Sequence, residues 1–168
     1  MPTLNALYGR WRPRLRAVGQ NVPMIDVILP CCNEEIEIIL DTVRAALNLD
    51  YPKHRYRVLV TDDGASPKVA QAIAQIAKDR PNLFYTTRKK LGPEGYKAGN
   101  LNHALRVLNE LPSGPAEFVA CLDADMIAEK RWLRSLVPHL VQDPKLGVVC
   151  PPQVRYINFR SMITLEIC

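Results

Sequence analysis

Short apolar runs alternate along the chain with segments in which apolar residues recur at every third or fourth position. The runs are Ile25–Pro30, Arg57–Thr61, Leu83–Thr86, Phe118–Leu122 and Leu146–Cys150, each followed by polar or turn-forming residues. The intervening segments carry Ile36, Ile39, Leu40, Val43 and Leu47, then Val69, Ile73 and Ile76, then Leu101, Ala104, Leu105 and Leu108, and finally Leu133, Leu136, Val137 and Leu140. Near-continuous apolar runs predict strands buried on both faces, and the wider spacing predicts amphipathic helices. The expected order is βαβαβαβαβ, an α/β fold on a mostly parallel, Rossmann-like sheet with right-handed crossovers. Residues 153–168 break the pattern and end in the amphipathic run SMITLEIC.

At 168 residues the chain is of single-domain size, and 48% hydrophobic with 23% charged residues excludes collagen-like, disordered and coiled-coil classes. The net charge of +5 sits mostly in residues 1–20, where Arg10, Arg12, Arg14 and Arg16 face no acid, leaving a net +1 on the rest. Nucleic acid is therefore not an expected partner. The expected division is a basic extension over 1–20, solvated or aimed at anionic lipid headgroups, followed by a domain over 21–168. No apolar run approaches the roughly 18 residues of a membrane span, and no signal-peptide pattern opens the chain, so a soluble or incomplete chain is expected. Cys31, Cys32, Cys121, Cys150 and Cys168 form no CxxC pair; most lie in or beside apolar runs and read as buried reduced thiols of a cytosolic protein.

In an open parallel sheet the ligand site lies outside the carboxyl ends of the strands. The residues just after the runs are therefore the informative ones. The first run ends in PCCNEE rather than GxGxxG, and Walker A, GxSxG and HExxH sequences are absent, which removes the main support for dinucleotide, P-loop, hydrolase and zincin chemistry. What remains is acidic. Asp123 and Asp125 flank Ala124 after the fourth run, and alternation along an extended chain sends both carboxylates to one side. Two such groups suit Mg²⁺ or Mn²⁺, which fill their other positions with phosphate oxygens and water; the plainer reading is a turn in which Asp125 caps a helix near Glu129. Asp62 and Asp63 precede Gly64 after the second run, as hydrogen-bond acceptors for a nucleoside or as a turn with Ser66-Pro67 opening a helix. Arg88, Lys89, Lys90 and Lys97 interleave with Gly92, Gly95 and Gly99, a loop able to hold a diphosphate or simply a solvated basic one.

Taken in order, DVILPCCNEE, VLVTDDG, TTRKKLGPEGYKAGNLNHAL and CLDADM resemble the family 2 glycosyltransferases, in particular the cellulose, chitin and hyaluronan synthase branch. The resemblance runs from about Ile25 to Gln153, with KAGNLN followed by DAD its most specific part. It implies a GT-A fold, a nucleotide-diphosphate sugar, usually UDP-linked, and Mg²⁺ or Mn²⁺ as cofactor. It implies that Asp63, with Asp62 beside it, meets the uracil, that Arg88 is a further nucleotide contact and Lys97 a diphosphate contact, that Asp123 is the first acid of the DxD, and that Asp125 contacts the metal. Pro152-Gln153 matches the acceptor border. Cys32 stands where the family commonly has an aromatic residue. The family's Thr-Glu-Asp, whose Asp is the general base, and its QxxRW do not occur in these residues. The expected function is donor binding for inverting transfer to a hydroxyl of a polysaccharide, at the cytosolic face of a membrane in a full-length form. Two alternatives stay open, a truncated UDP-sugar-binding chain without turnover and a sugar-phosphate nucleotidylyltransferase.

Overall fold

The computed structural model describes residues 14–89 and 95–151. The elements are β1 (Ile25–Cys31), α1 (Ile36–Leu47), β2 (Tyr56–Asp62), α2 (Pro67–Ala77), β3 (Leu83–Thr86), α3 (Tyr96–Glu110), β4 (Phe118–Cys121) and α4 (Trp132–Gln142), with a 3₁₀ turn at Lys53–Arg55. The strands pair in the order β3-β2-β1-β4, and every ladder is parallel.

Handedness distributes the helices. The chain steps from β1 to β2 to β3 in one direction, so right-handed crossovers put α1 and α2 on one face; α3 carries it back past β2 and β1 to β4 and lies on the other. The core divides accordingly. Val27, Leu29, Val58 and Val60 meet Ile39, Val43, Val69, Ile73, Leu133 and Val137 on one side, while Ile28 and Leu59 meet Ala104 and Leu108 on the other. Every position of β1 and β2 is buried, which is why both read as continuous apolar runs. On the terminal strand β4 burial alternates.

The α3-facing side of β2 reads Arg57, Leu59, Thr61, polar at both ends. Asp26 lies opposite Arg57 in the register, and the two form a bidentate ion pair at 2.7 and 2.8 Å that is nearly removed from solvent. Arg57 also donates to Ser113 Oγ and to the Gly114 carbonyl, and Asp26 accepts from the Ala116 amide. A buried ion pair is tolerable only when its remaining donors and acceptors are met. Here they fasten the turn between α3 and β4 to the amino ends of the first two strands.

Several expectations are corrected. Leu146–Cys150 forms no strand, and Gly147, Val148 and Cys150 are exposed; an apolar run becomes a strand only where a sheet edge receives it, and this run makes no ladder with β4. Among the four described cysteines Cys31 alone is buried. Cys32 lies beyond the end of β1, Cys121 sits on the more exposed face of β4, and Cys150 belongs to the unpaired run; Cys168 lies outside the described residues. Asp125 does not cap α4, whose N-cap is Arg131. The end of the basic extension is attached rather than free. The Ala17 amide donates to the Arg134 carbonyl at 2.8 Å, and the Arg134 guanidinium donates to the carbonyls of Ala17 and Gly19 and to Asp50. Arg14 and Arg16 remain exposed, and Arg10 and Arg12 lie outside the described residues. No described helix is long and apolar enough to cross a membrane.

Removing one member of a satisfied buried pair strands the other. Asp26→Ala should lower the unfolding free energy by about 3–5 kcal/mol in a denaturant titration, while Asp26→Leu combined with Arg57→Met should recover most of the loss. Equal stability of wild type and Asp26→Ala would show that the pair does not fasten the sheet.

Candidate functional site

The reversal of strand order between β1 and β4 leaves a crevice beyond their carboxyl ends, flanked by the end of β2. Cys31 lies opposite Asp62 in the register, and the Asp63 amide extends the ladder by donating to the Cys31 carbonyl at 2.8 Å. The two loops that follow are pressed together. Asn33 turns through a left-handed φ of 67°, and a Cβ on Gly64 would lie 2.6 Å from Asn33 Oδ1 and 3.1 Å from its backbone nitrogen. A side chain there would displace the Asn33 amide and crowd its backbone nitrogen.

Asp62, expected beside Asp63 as a nucleotide contact, is turned inward and is 1% exposed. Its Oδ1 accepts from the Gly64 amide at 2.8 Å, and its Oδ2 accepts from the Ser66 amide at 2.8 Å and the Tyr85 hydroxyl at 3.0 Å. Thr87 Oγ1 donates to its carbonyl. These donors replace water around a buried carboxylate, so Asp62 shapes the loop that presents Asp63. Ser66 caps α2 at the Val69 amide and Pro67 takes the first helical position, so this flank is the turn that the sequence also allowed. The same burial, with Asp62 as the next cause, pushes the Cys31 thiol far above its ordinary value, so it stays protonated and is no nucleophile.

Asp63 and Arg88 face each other as a bidentate pair, at 2.5 and 2.9 Å, with side chains 6% and 8% exposed. Arg88 also donates to the Tyr96 carbonyl at 3.1 Å. Two residues far apart in sequence and expected to meet the same nucleotide are thus joined. His103, on α3, shares a hydrogen bond with Thr86. Burial first, then the charges of Arg106 and Arg88, hold its pKa below the usual histidine value. Arg88 and Arg106 line an open cleft of about 480 Å³ with Gly95, Gly99 and Asn102.

On the β4 side Asp123 and Asp125 emerge on either side of Ala124, which is buried. The Met126 amide closes the turn on the Asp123 carbonyl at 3.0 Å, and Thr42 on α1 pins it by donating its hydroxyl to the Ala124 carbonyl at 2.6 Å. Asp123 forms an ion pair with Lys97, both partly exposed. Asp125 is exposed, and among the described residues nothing pairs with its carboxylate. No group of three or more His, Cys, Asp or Glu side chains able to hold a metal occurs among the described residues. The two aspartates nevertheless fit a hard divalent ion of the Mg²⁺ or Mn²⁺ kind, which takes one or two carboxylates and completes an octahedron with phosphate and water.

Lys97 is aimed by the start of α3. Gly95, at φ 62°, accepts from the Gly99 amide at 2.7 Å, and its missing Cβ would lie 3.1 Å from the Gly99 Cα. One turn on, buried Asn100 donates to the Thr61 carbonyl at 2.8 Å and accepts from the Thr61 hydroxyl at 2.6 Å. Asn100 and Thr42 were missed as site-positioning residues. Their signal was available, since each is a polar residue on an otherwise apolar helical stripe. Lys89 is exposed; Lys90, Gly92, Pro152, Gln153 and Glu166 lie outside the described residues.

The sequence model of glycosyl transferase family 2 matches residues 26–166. Cellulose synthase 2 of Novacetimonas hansenii is 34% identical over 134 residues, which is 80% of this chain and 8% of the relative. The UDP-forming cellulose synthase catalytic subunit of Pseudomonas fluorescens is 30% identical over 141 residues, covering 82% of this chain and 17% of its own length. The chain therefore spans less than a fifth of these curated relatives. Among solved structures, the mannosyltransferase PcManGT from Pyrobaculum calidifontis, in complex with GDP-Man and Mn²⁺, matches with a TM-score of 0.61 and 29% identity over 82% of this chain and 38% of that one. S. aureus TarS 1–349 in complex with UDP-GlcNAc shares the fold, with a TM-score of 0.57 at 22% identity over 77% of this chain and 37% of its own. The sheet is that of the GT-A glycosyltransferases.

The packing of Gly64 on Asn33 generates a direct test. Gly64→Ala should destabilise the protein by about 1–3 kcal/mol, because the added methyl displaces the Asn33 side chain and crowds the Asn33 backbone nitrogen and the Asp62 carboxylate. Gly147→Ala, with nothing within 4 Å of the new Cβ, is the control and should leave the melting midpoint unchanged. Identical thermal midpoints for both variants would show that the loops yield freely.

Proposed function

The chain belongs to glycosyl transferase family 2, and from that premise we propose that it binds a UDP-sugar at the carboxyl edge of β1, β2 and β4, for inverting transfer to a hydroxyl of a polysaccharide. The observation that carries this reading is the pairing of Lys97 with Asp123 beside Asp125, whose carboxylate has no partner among the described residues. A cation for a diphosphate and carboxylates for a divalent ion meet at one turn. UDP is favoured over other nucleotides because the P. fluorescens relative is UDP-forming.

The base end is Asp63. Its carboxylate stands at the carboxyl end of β2 in a bidentate pair with Arg88, and a carboxylate is an acceptor suited to an N–H of a uracil. Arg88 keeps that carboxylate oriented. At the other end Lys97 answers the charge of Asp123 until a diphosphate offers it a stronger anion. Mg²⁺ or Mn²⁺, held by Asp125 and Asp123, supplies Lewis-acid stabilisation of the departing diphosphate. Asp62 and Asn100 act through the loops they hold. The polysaccharide acceptor and a place at the cytosolic face of a membrane belong to the same reading, supported by the cellulose synthase relatives and by the arginines of residues 1–20.

A second reading, donor binding without turnover by these residues alone, is favoured by the state of the acids. Asp62 is enclosed by donors, Asp63 is paired with Arg88, Asp123 with Lys97, and Asp125 belongs to the metal. An acceptor hydroxyl is a poor nucleophile, and a positioned general base contributes roughly 10²–10⁴ in rate.

Calorimetry with Mn²⁺ should detect UDP binding, and EDTA should weaken UDP far more than uridine; Asp125→Asn should reproduce the EDTA effect in the presence of Mn²⁺. UDP affinity indifferent to chelator would make the Asp123–Asp125 turn purely structural. Incubation of the 168-residue chain with radiolabelled UDP-sugars, Mn²⁺ and oligosaccharide acceptors should yield no acceptor-dependent product. Product that disappears in Asp125→Ala would place a general base within these residues and overturn the second reading.

A further inference from the structure

Tyr96 is the most exposed large apolar side chain among the described residues, at 79% of its surface. It is also held in an unfavourable backbone conformation, with φ 41°. Left-handed backbone is avoided by side chains other than glycine and asparagine, and more so by bulky ones. Gly95 just before it is left-handed too, so the chain makes two such residues in succession on entering α3. No hydrogen bond engages the Tyr96 hydroxyl among the described residues. Among the described residues, neither packing nor a bond from the ring explains why an aromatic residue occupies this position. Strained residues with exposed side chains gather where a ligand uses them.

The surroundings say which ligand. The Tyr96 carbonyl accepts from Arg88, and Arg88 is the bidentate partner of Asp63. Lys97, the next residue, is paired with Asp123. The Tyr96 backbone is thus tied between the acid of the base end and the acid of the diphosphate end. Among the described residues, other aromatic surface is scarce at this edge. Tyr85 is partly buried with its hydroxyl committed to Asp62, and the exposed residue that follows β1 is Cys32, which has no ring.

We propose that Tyr96 is the stacking surface for the nucleobase, which lies with its face on the tyrosine ring and its polar edge toward Asp63. This deepens the UDP-sugar reading and rests on it. A planar heteroaromatic base gains from an aromatic face with little dependence on ring substituents, so the hydroxyl of Tyr96 is dispensable and the ring is not.

Isothermal titration of UDP and of inorganic pyrophosphate, both with Mn²⁺, into wild type, Tyr96→Phe, Tyr96→Ala and Tyr96→Gly tests this. Tyr96→Phe should keep UDP affinity within about twofold. Tyr96→Ala and Tyr96→Gly should weaken UDP by about tenfold and leave pyrophosphate unchanged. Tyr96→Gly relieves the left-handed strain, so its thermal midpoint should equal or exceed that of wild type while its UDP affinity falls, a combination that a merely structural tyrosine does not produce. Wild-type UDP affinity in Tyr96→Gly, or equal losses for UDP and pyrophosphate, would overturn the proposal and leave the UDP-sugar reading intact. Failure of wild type to bind either ligand would overturn both.

Discussion

β1 lies against β2 with Cys31 opposite Asp62, and the arrangement of acids at the carboxyl edge descends from that register. Side chains alternate along a strand, so a slip of one residue would send Val58 and Val60 to the α3 face and Arg57, Leu59 and Thr61 into the larger core. The Asp26–Arg57 pair would then be buried without a partner, and Thr61 would lose Asn100. Because both ends of the α3-facing side are closed by polar contacts that exist in one register only, the position of Asp63 relative to β1 is set from the opposite end of the sheet. The backbone bond from Asp63 to Cys31 completes it.

Charge at the edge is organised in pairs. Asp63 is matched by Arg88 and Asp123 by Lys97, while Asp62 accepts hydrogen bonds from the amides of its own loop. Asp125 alone among these acids is left to solvent. The two pairs differ in character. Asp63 and Arg88 are almost fully enclosed, so their interaction is strong and their geometry rigid; Asp123 and Lys97 are partly exposed, and such pairs are worth about 0–1 kcal/mol. In the proposed reading the enclosed pair is the base end and the partly exposed pair the diphosphate end, so the first is fixed and the second adaptable. That difference suits a site in which one end holds a constant nucleoside and the other changes charge during transfer.

Much of this was legible in the sequence. The first four apolar runs became strands and the four periodic segments became helices, because period and length alone distinguish a buried strand from an amphipathic helix. The acids and cations after the strands were legible as a set because a parallel sheet delivers its carboxyl ends to one edge whatever the details of packing. Their number, order and spacing carried the family resemblance that the comparisons bear out.

Tertiary structure decided what local pattern cannot encode. Leu146–Cys150 has the composition of a strand but no sheet edge receives it, since ladder formation depends on a partner. The alternation on β4 and the exposure of Cys121 follow from where α3 crosses the sheet. Asp62 and Asp63, adjacent and chemically identical, part company because one side chain turns into the loop and the other toward Arg88, a residue 25 positions away. Asn100 and Thr42 look like weak points of apolar stripes until the turns they hold are in place. The sequence by itself determined the elements, the edge and the chemistry gathered there, since these rest on local periodicity and chain direction. Which carboxylate is enclosed, which is paired and which is left free depended on long-range packing and hydrogen bonding, because those choices are made by residues that meet only when the chain is folded.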